Sequence, residues 1–433
     1  MTSLTEQPSS TKEFRRVIWS SYLGSTIEFY DFLLYATAAS LVFGPVFFAG
    51  LDPVAATIAS YGTFAAGYLA RPLGGAVFGH FGDRLGRKRM LVVSMTLMGV
   101  ASFLIGVIPP ASAIGSWGAI ILVLLRICQG VSVGGEWGGA ALMSLEHAEK
   151  GRRGFAASFT NAGAPTGSVL GALVMTAVSG ALTNQQFLSW GWRIPFLLSA
   201  VLLVVGLYVR SKVSESTLFQ AAIAKPVRTS PPILQVLKRP KTLVLVALGC
   251  CGSFAMQILF ATFAITYATS HGTPRSTALL CFGVVSFTGI FVVLLAGRLS
   301  DRVGRRPVMV TGFVAFALLV FPIFGWLGSG SAALVFLAFL LGLTCQSLTY
   351  GPLAAFISEQ FGTRVRYTGA SVGYQLATLI GAGMTPIVLA SLYASSGKST
   401  TPVAWLLVGV CAVSVLAIAV TRETRHNDLA AED

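Results

Sequence analysis

Residues 79–89 read Gly-His-Phe-Gly-Asp-Arg-Leu-Gly-Arg-Lys-Arg, and residues 297–307 read Gly-Arg-Leu-Ser-Asp-Arg-Val-Gly-Arg-Arg-Pro. Gly79, Asp83, Arg84, Gly86 and Arg87 of the first stretch match Gly297, Asp301, Arg302, Gly304 and Arg305 of the second, at an offset of 218 residues. A second set, Glu146, Arg153 and Ser158, recurs as Glu359, Arg366 and Ser371 at an offset of 213. Two different loops repeating at nearly one spacing mark a duplicated unit.

What lies between the repeats is apolar. Of 433 residues 54% are hydrophobic and only 11% charged, where an ordinary soluble domain carries roughly 25% charged residues. That composition excludes a soluble globular enzyme, a disordered chain and a disulfide scaffold. Membrane spans of about 20 apolar residues each are expected at 16–43, 54–79, 90–108, 117–143, 154–180, 191–211, 242–270, 277–299, 308–327, 331–357, 367–394 and 402–421. The longest polar gap, 212–240, divides them into six and six. The expected organisation is a tail over 1–16, a first bundle over 17–211, a linker over 212–240, a second bundle over 241–421 and a tail over 422–433. Parallel six-helix repeats around a site at the membrane midplane are a transporter architecture.

The net charge of +14 is distributed by topology. With both tails inside, 25 of the 30 Lys and Arg residues fall in inner segments. Arg193, Arg275 and Lys398 fall outside, and Arg71 and Arg126 lie within spans. The positive-inside rule then places both termini in the cytoplasm of a cell membrane. Residues 1–13 are polar and the first apolar run is too long for a signal h-region, so no signal peptide is expected. Cys128, Cys250, Cys251, Cys281, Cys345 and Cys411 sit in apolar runs without C-x-x-C spacing, which suits packing rather than disulfides or metal. His80, His147, His271 and His426 are scattered, and no nucleotide-binding loop occurs, so neither metal nor cofactor is expected. The basic balance needs no nucleic-acid partner. The expected partners are lipid, protons and a small molecule, with the protein acting as a monomer.

The repeated stretch over 79–89 resembles the loop 2–3 signature of the major facilitator superfamily, echoed between spans eight and nine. Other stretches narrow the resemblance: Ile27-Glu-Phe-Tyr-Asp-Phe32, Ala70-Arg-Pro-Leu-Gly-Gly75, Arg126-Ile-Cys-Gln-Gly-Val-Ser-Val-Gly-Gly-Glu-Trp-Gly-Gly139, Ser189-Trp-Gly-Trp-Arg-Ile-Pro-Phe196, Val365-Arg-Tyr-Thr-Gly-Ala-Ser371 and Thr421-Arg-Glu-Thr-Arg-His426. Together they look like the metabolite:proton symporter branch, whose members carry proline/betaine, shikimate, α-ketoglutarate or citrate. The resemblance runs along almost the whole chain and implies a twelve-helix fold and proton-coupled uptake of a small polar metabolite, an organic acid or zwitterion. Proton-coupled efflux of amphipathic compounds is the alternative. The stretch Gly154…Gly163-Ala-Pro-Thr-Gly167 lacks the Gly-Pro step of the antiporter signature, which argues against efflux.

Ionisable residues inside a membrane are costly and need a partner or a task. Glu28, Asp31, Arg71, Arg126 and Glu136 all lie in the first half. At 1.5 Å per residue Asp31 is roughly 22 Å, and Arg126 roughly 26 Å, from the inner end of its span. The two are expected to face each other. A carboxylate beside a guanidinium stays ionised, and one drawn away into an apolar setting takes up a proton. In proton-coupled sugar members of the superfamily a span-1 Asp and a span-4 Arg act in this way, and the resemblance places Asp31 and Arg126 in those roles. Glu28, three residues before Asp31 on one helix face, is the second titrating candidate. Arg71 and Glu136, roughly 10–12 Å from the inner ends of their spans, are expected to pair near the inner mouth or to hold an anionic substrate at Arg71. Further substrate candidates are Tyr30, Gln257, Tyr267, Gln346, Tyr350, Tyr374 and Gln375.

The repeated loops read as a cytoplasmic gate. Gly79 and Gly86 would let the chain turn, and Asp83 would sit on the positive N-terminal end of a helix from the other half. Arg84, Arg87 and Lys88 would pair with acids such as Glu146. Asp301, Arg302, Arg305, Glu359, Arg153 and Arg366 would complete the repeated set. The glycines at 163, 167 and 171, and those at 130–139, would let helices approach closely.

Overall fold

Among the described residues the expected apolar runs fold into twelve long helices. The computed structural model describes residues 11–215, residue 220 and residues 231–426. The helices are α1 (Thr11–Leu41), α2 (Pro53–Leu85), α3 (Arg87–Val107), α4 (Trp117–Glu146), α5 (Arg153–Ala181) and α6 (Arg193–Ser211) in the first half. The second half holds α7 (Pro240–Ser270), α8 (Arg275–Val303), α9 (Arg305–Leu327), α10 (Ala332–Glu359), α11 (Arg366–Ser395) and α12 (Thr401–Val420). Single π-helical turns interrupt α7 at Leu259–Phe263 and α11 at Leu379–Gly383.

Ten of the twelve are apolar enough to cross a membrane on length and composition alone. The exceptions are α1 and α2, which carry Glu28, Asp31 and Arg71 on buried faces. Their polarity is directed at the interior, whereas Leu69, Leu280, Leu318 and Leu416 stand exposed on the periphery, as lipid-facing side chains do.

Packing shows the duplication. In the first half α1 packs on α5 and α6, α2 on α4, and α3 on α4 and α6. The same contacts, each helix advanced by six, recur as α7 on α11 and α12, α8 on α10, and α9 on α10 and α12. Between halves α2 meets α11 and α5 meets α8, and these two seams exchange under the same shift. The protein is thus two pseudo-symmetric six-helix bundles.

The expected bounds need correcting at the repeated loops. Helix α2 runs six residues past Gly79 and stops only at Leu85, and α3 begins at Arg87. The break is made by Gly86 alone, at φ 107°, and by Gly304 at φ 114° in the second copy. Gly79 is helical, and its value is space, because a Cβ there would lie 2.6 Å from the Thr368 Cα of α11. Helix α1 is already formed at Thr11, the first described residue. Within the expected linker Pro232–Leu237 forms a short helix, and Lys225 and Arg228 lie outside the described residues.

The glycine stripe of α5 does what its spacing suggests. Cβ atoms at Gly163 and Gly167 would come within 2.7 Å of the Tyr22 and 2.2 Å of the Thr26 carbonyl oxygens on α1. The two backbones are therefore in direct contact.

Candidate functional site

Asp31 sits on α1, 3% exposed, and its two carboxylate oxygens are claimed by hydroxyls from two other helices. Ser199 Oγ of α6 donates to Oδ1 and Ser102 Oγ of α3 donates to Oδ2, both at 2.6 Å. Ser102 in turn accepts from Gln129 Nε2 at 2.7 Å, and Gln129 Oε1 accepts from Arg126 Nη1 at 3.1 Å. The expected face-to-face pair is corrected: Asp31 and Arg126 communicate through Ser102 and Gln129, not by a direct ion pair. The chain has a direction, with each donor pointing toward the carboxylate. Protonating Asp31 adds a donor where only acceptors stood, so one of the cradling serine hydroxyls must turn from donating to accepting, and at Ser102 that oxygen is the one Gln129 also uses.

Arg126 is held in an aromatic box instead of against an acid. Its guanidinium carbon lies 4.1 Å from the Tyr35 ring centroid, 4.9 Å from Phe64 and 5.7 Å from Phe32. Arg71 also approaches Phe32, with its guanidinium carbon 5.1 Å from that centroid and 4.2 Å from that of Tyr68. Facing π-clouds offset part of the cost of dehydrating a cation while leaving its edge free for an anion. Arg126 Nε is buried without a hydrogen-bond partner, as is Glu28 Oε2 nearby. Glu28, Asp31, Phe32, Arg71, Arg126 and Gln129 line one cavity.

Glu136 does not pair with Arg71, contrary to expectation. Arg210 Nη2 from α6 donates to Glu136 Oε1 at 2.5 Å, with both side chains essentially buried. Arg210 also donates through Nη1 to the Leu91 carbonyl of α3. Gly24 of α1 makes the room, because a Cβ there would strike the Arg210 guanidinium. Arg210 thus joins Glu28, Asp31, Arg71, Arg126 and Glu136 as a buried charge within a span of the first half, although sequence reading assigned it to topology.

The other substrate candidates divide. Tyr350 and Tyr374 hydroxyls lie 3.4 Å apart, both buried in the second half. Gln346 is buried, with Nε2 unpartnered. Gln257 is half-buried on α7. Gln375 Nε2 reaches the Gly134 carbonyl of α4 at 3.4 Å, an inter-half contact. Two candidates stand elsewhere. Tyr30 is fully buried, with its hydroxyl donated to the Pro195 carbonyl of α6. Tyr267 belongs to an aromatic cluster with Phe263, Phe324 and Tyr393 beyond the π-turn of α7.

The repeated loops form the inner seams. Asp83 Oδ1 accepts from the Tyr367 amide at 3.2 Å, and Oδ2 accepts from the Thr368 amide at 2.9 Å and hydroxyl at 2.7 Å. Those amides open α11, where a helix end favours negative charge. Across the other seam Asp301 accepts from the Gly154 and Phe155 amides at the start of α5, both at 2.8 Å. Glu146 binds Arg87 and Arg366, the latter at 3.1 Å. Arg305 holds Glu359 at 3.2 Å and Asp301 at 2.7 Å. Arg153 is buried at the start of α5. Lys88 departs from expectation: its Nζ donates to the Ser211 carbonyl. Arg84 and Arg302 are exposed.

Three partners were not legible. Tyr367, fully buried, donates its hydroxyl to the Gly135 carbonyl of α4 at 2.8 Å, with its ring over Gly82. Glu215, after α6, accepts from the Lys88 amide at the start of α3 at 3.1 Å. Glu423, after α12, accepts from the Arg305 and Arg306 amides at the start of α9, both at 3.0 Å. These acids cap equivalent helices in the two halves. Among the described residues no group of three or more His, Cys, Asp or Glu is placed to hold a metal.

The family model described as Major Facilitator Superfamily matches residues 22–372 and 249–433. The chain is 41% identical over 426 residues to the inner membrane metabolite transport protein YhjE of Escherichia coli K12, covering 96% of this chain and 95% of that one. It is 40% identical to the shikimate transporter of the same organism, covering 96% of each chain. Among solved structures it resembles the proton:xylose symporter XylE bound to 6-bromo-6-deoxy-D-glucose, with a TM-score of 0.76 at 18% identity and 95% of each chain covered. The chain belongs to the major facilitator superfamily and is a multi-pass membrane transporter of small molecules, not an enzyme.

Proposed function

We propose that the protein is a proton-coupled symporter that takes up a small polar metabolite, an organic acid or a zwitterion, by alternating access. The observation that carries this reading is Asp31, a buried acid cradled by Ser102 and Ser199 and wired through Gln129 to Arg126. A proton arriving at Asp31 acts on the chain of hydrogen bonds that ends at Arg126, which lies in the same cavity as Arg71. A carboxylate bound across Arg71 and Arg126 would thereby feel the protonation state of Asp31. The names of relatives for shikimate and for proline/betaine agree with a carboxylate-bearing solute. Glu28 is the second proton candidate, and Gln346, Tyr350 and Tyr374 supply polar groups from the second half.

The inner seams then act as the cytoplasmic gate. Asp83, Arg87, Glu146 and Arg366 hold one seam, and Asp301, Arg305 and Glu359 hold the other. The protein works as a monomer in the cell's inner membrane, with bundles over 17–211 and 241–421, a linker over 212–240, and both tails cytoplasmic. A tag on residue 1 that reacts with an impermeant reagent outside intact cells would overturn the orientation.

The function is tested in proteoliposomes. Shikimate-like acids, amino acids and betaines are offered under an imposed inward proton gradient. Accumulation above the outside concentration, abolished by a protonophore, is expected for at least one of them. Uptake that only equilibrates, with or without the gradient, would sink the symport reading.

A further inference from the structure

Four buried side chains from four helices close into a ring between the charged cavity and the inner seams. Trp137 of α4 stacks on Tyr374 of α11, with ring centroids 3.6 Å apart and planes 18° from parallel. Trp137 Nε1 donates to Asn161 Oδ1 of α5 at 3.0 Å, and Asn161 Nδ2 donates to the Tyr350 main-chain carbonyl of α10 at 2.6 Å. The hydrogen bond between the Tyr350 and Tyr374 hydroxyls completes the circuit. None of the four is more than 3% exposed.

The ring forms one layer. Trp137 precedes Glu146 and Tyr350 precedes Glu359, each by nine residues. Asn161 follows Arg153 and Tyr374 follows Arg366, each by eight. At 1.5 Å per residue all four stand about 12–14 Å above the ion pairs of the inner seams. On its other side the ring adjoins the solute cavity, since Val133, one helical turn before Trp137 on α4, lines it. Each half contributes two members. The Trp137–Tyr374 stack and the Asn161–Tyr350 bond both cross between halves, and the stack presents an apolar barrier to water and ions.

We propose that this ring is a second inner gate, separate from the ion-pair layer and forming the floor of the solute site. Trp137 and Asn161 are its positioning residues. They hold the Tyr350 and Tyr374 hydroxyls against the cavity while the inner side is shut, and release them when it opens. The inference rests on the alternating-access reading above, and the test reads conformation rather than transport.

Spin labels carried by unnatural amino acids at Lys150 and Val303, exposed on opposite halves near the inner end, report the opening distance in the full-length protein in nanodiscs. Asn161→Ala removes one bond across the seam and leaves Trp137 Nε1 unpaired. It is expected to raise the ratio of open to closed distances about tenfold. Trp137→Phe keeps a stacked ring but deletes the N–H, and is expected to shift the ratio in the same direction by less. Should Asn161→Ala fold poorly, Trp137→Phe carries the test alone. Distance distributions unchanged from the parent in these variants overturn the proposal. Asp83→Asn, run alongside, separates the failures. If it shifts the distances and the ring variants do not, only the ring proposal falls. If nothing shifts, the proposed inner gating falls with it.

Discussion

The Asp31→Asn protein is expected to exchange its solute across a membrane and to fail to concentrate it. Asparagine keeps the shape and polarity of the side chain, and the rotating hydroxyls of Ser102 and Ser199 can accept from an amide as readily as they donate to a carboxylate. The cavity and Arg126 remain, so binding and counterflow at equal pH persist. What disappears is a group that changes charge with one proton. One pH unit of gradient supports roughly tenfold accumulation through single-proton coupling, and the variant should fall to a ratio of about 1. The measurement is accumulation under an imposed gradient beside counterflow without one. A variant that concentrates solute as the parent does removes Asp31 from the coupling role and turns attention to Glu28, whose Oε2 is buried without a partner.

Arg210→Met is expected to be among the most damaging single changes to stability. It leaves Glu136 as an unpaired carboxylate at 0% exposure. Breaking a buried pair from one side costs about 3–5 kcal/mol, far more than replacing the pair as a whole. The double change Arg210→Met with Glu136→Gln should therefore recover much of the loss, since it removes the stranded charge. Thermal unfolding in detergent distinguishes the two. An Arg210→Met protein as stable as the parent would mean that Glu136 does not depend on Arg210 in the folded chain.

The contrast between Asp83 and Glu136 shows what a sequence of this kind discloses. Asp83 is legible because the repeated loop carries it, and the N-terminal end of a helix in the other half attracts an acid wherever that acid lies in the chain. Glu136 is legible as a cost but not as a contact. Its partner lies 74 residues away, at the inner margin of a span, where a basic residue already has a sufficient explanation in topology. The rotation of α6 that turns Arg210 inward leaves no trace in local pattern. Gly79 was misread for a related reason: glycine serves both turns and close helix contacts, and only the neighbouring Thr368 decides between them. The uncharged members of the site were least visible. Ser102, Ser199, Gln129, Trp137 and Asn161 cost little to place in a membrane helix, so nothing in the sequence demands an account of them. The number, order and duplication of the helices were readable because each rests on long apolar runs and repeated loops.

The caps supplied by Glu215 and Glu423 bear on how the protein is made. The Lys88 amide precedes its acceptor by 127 residues, and that of Arg305 precedes its acceptor by 118. At about 5–20 residues per second on the ribosome, the first turns of α3 and α9 wait roughly 6–25 s for their acids. Each cap arrives only after the last helix of its half has been synthesised, so it marks completion of that half during translation. A chain cut just before residue 423 would hold all twelve helices and still lack the piece that finishes the second bundle.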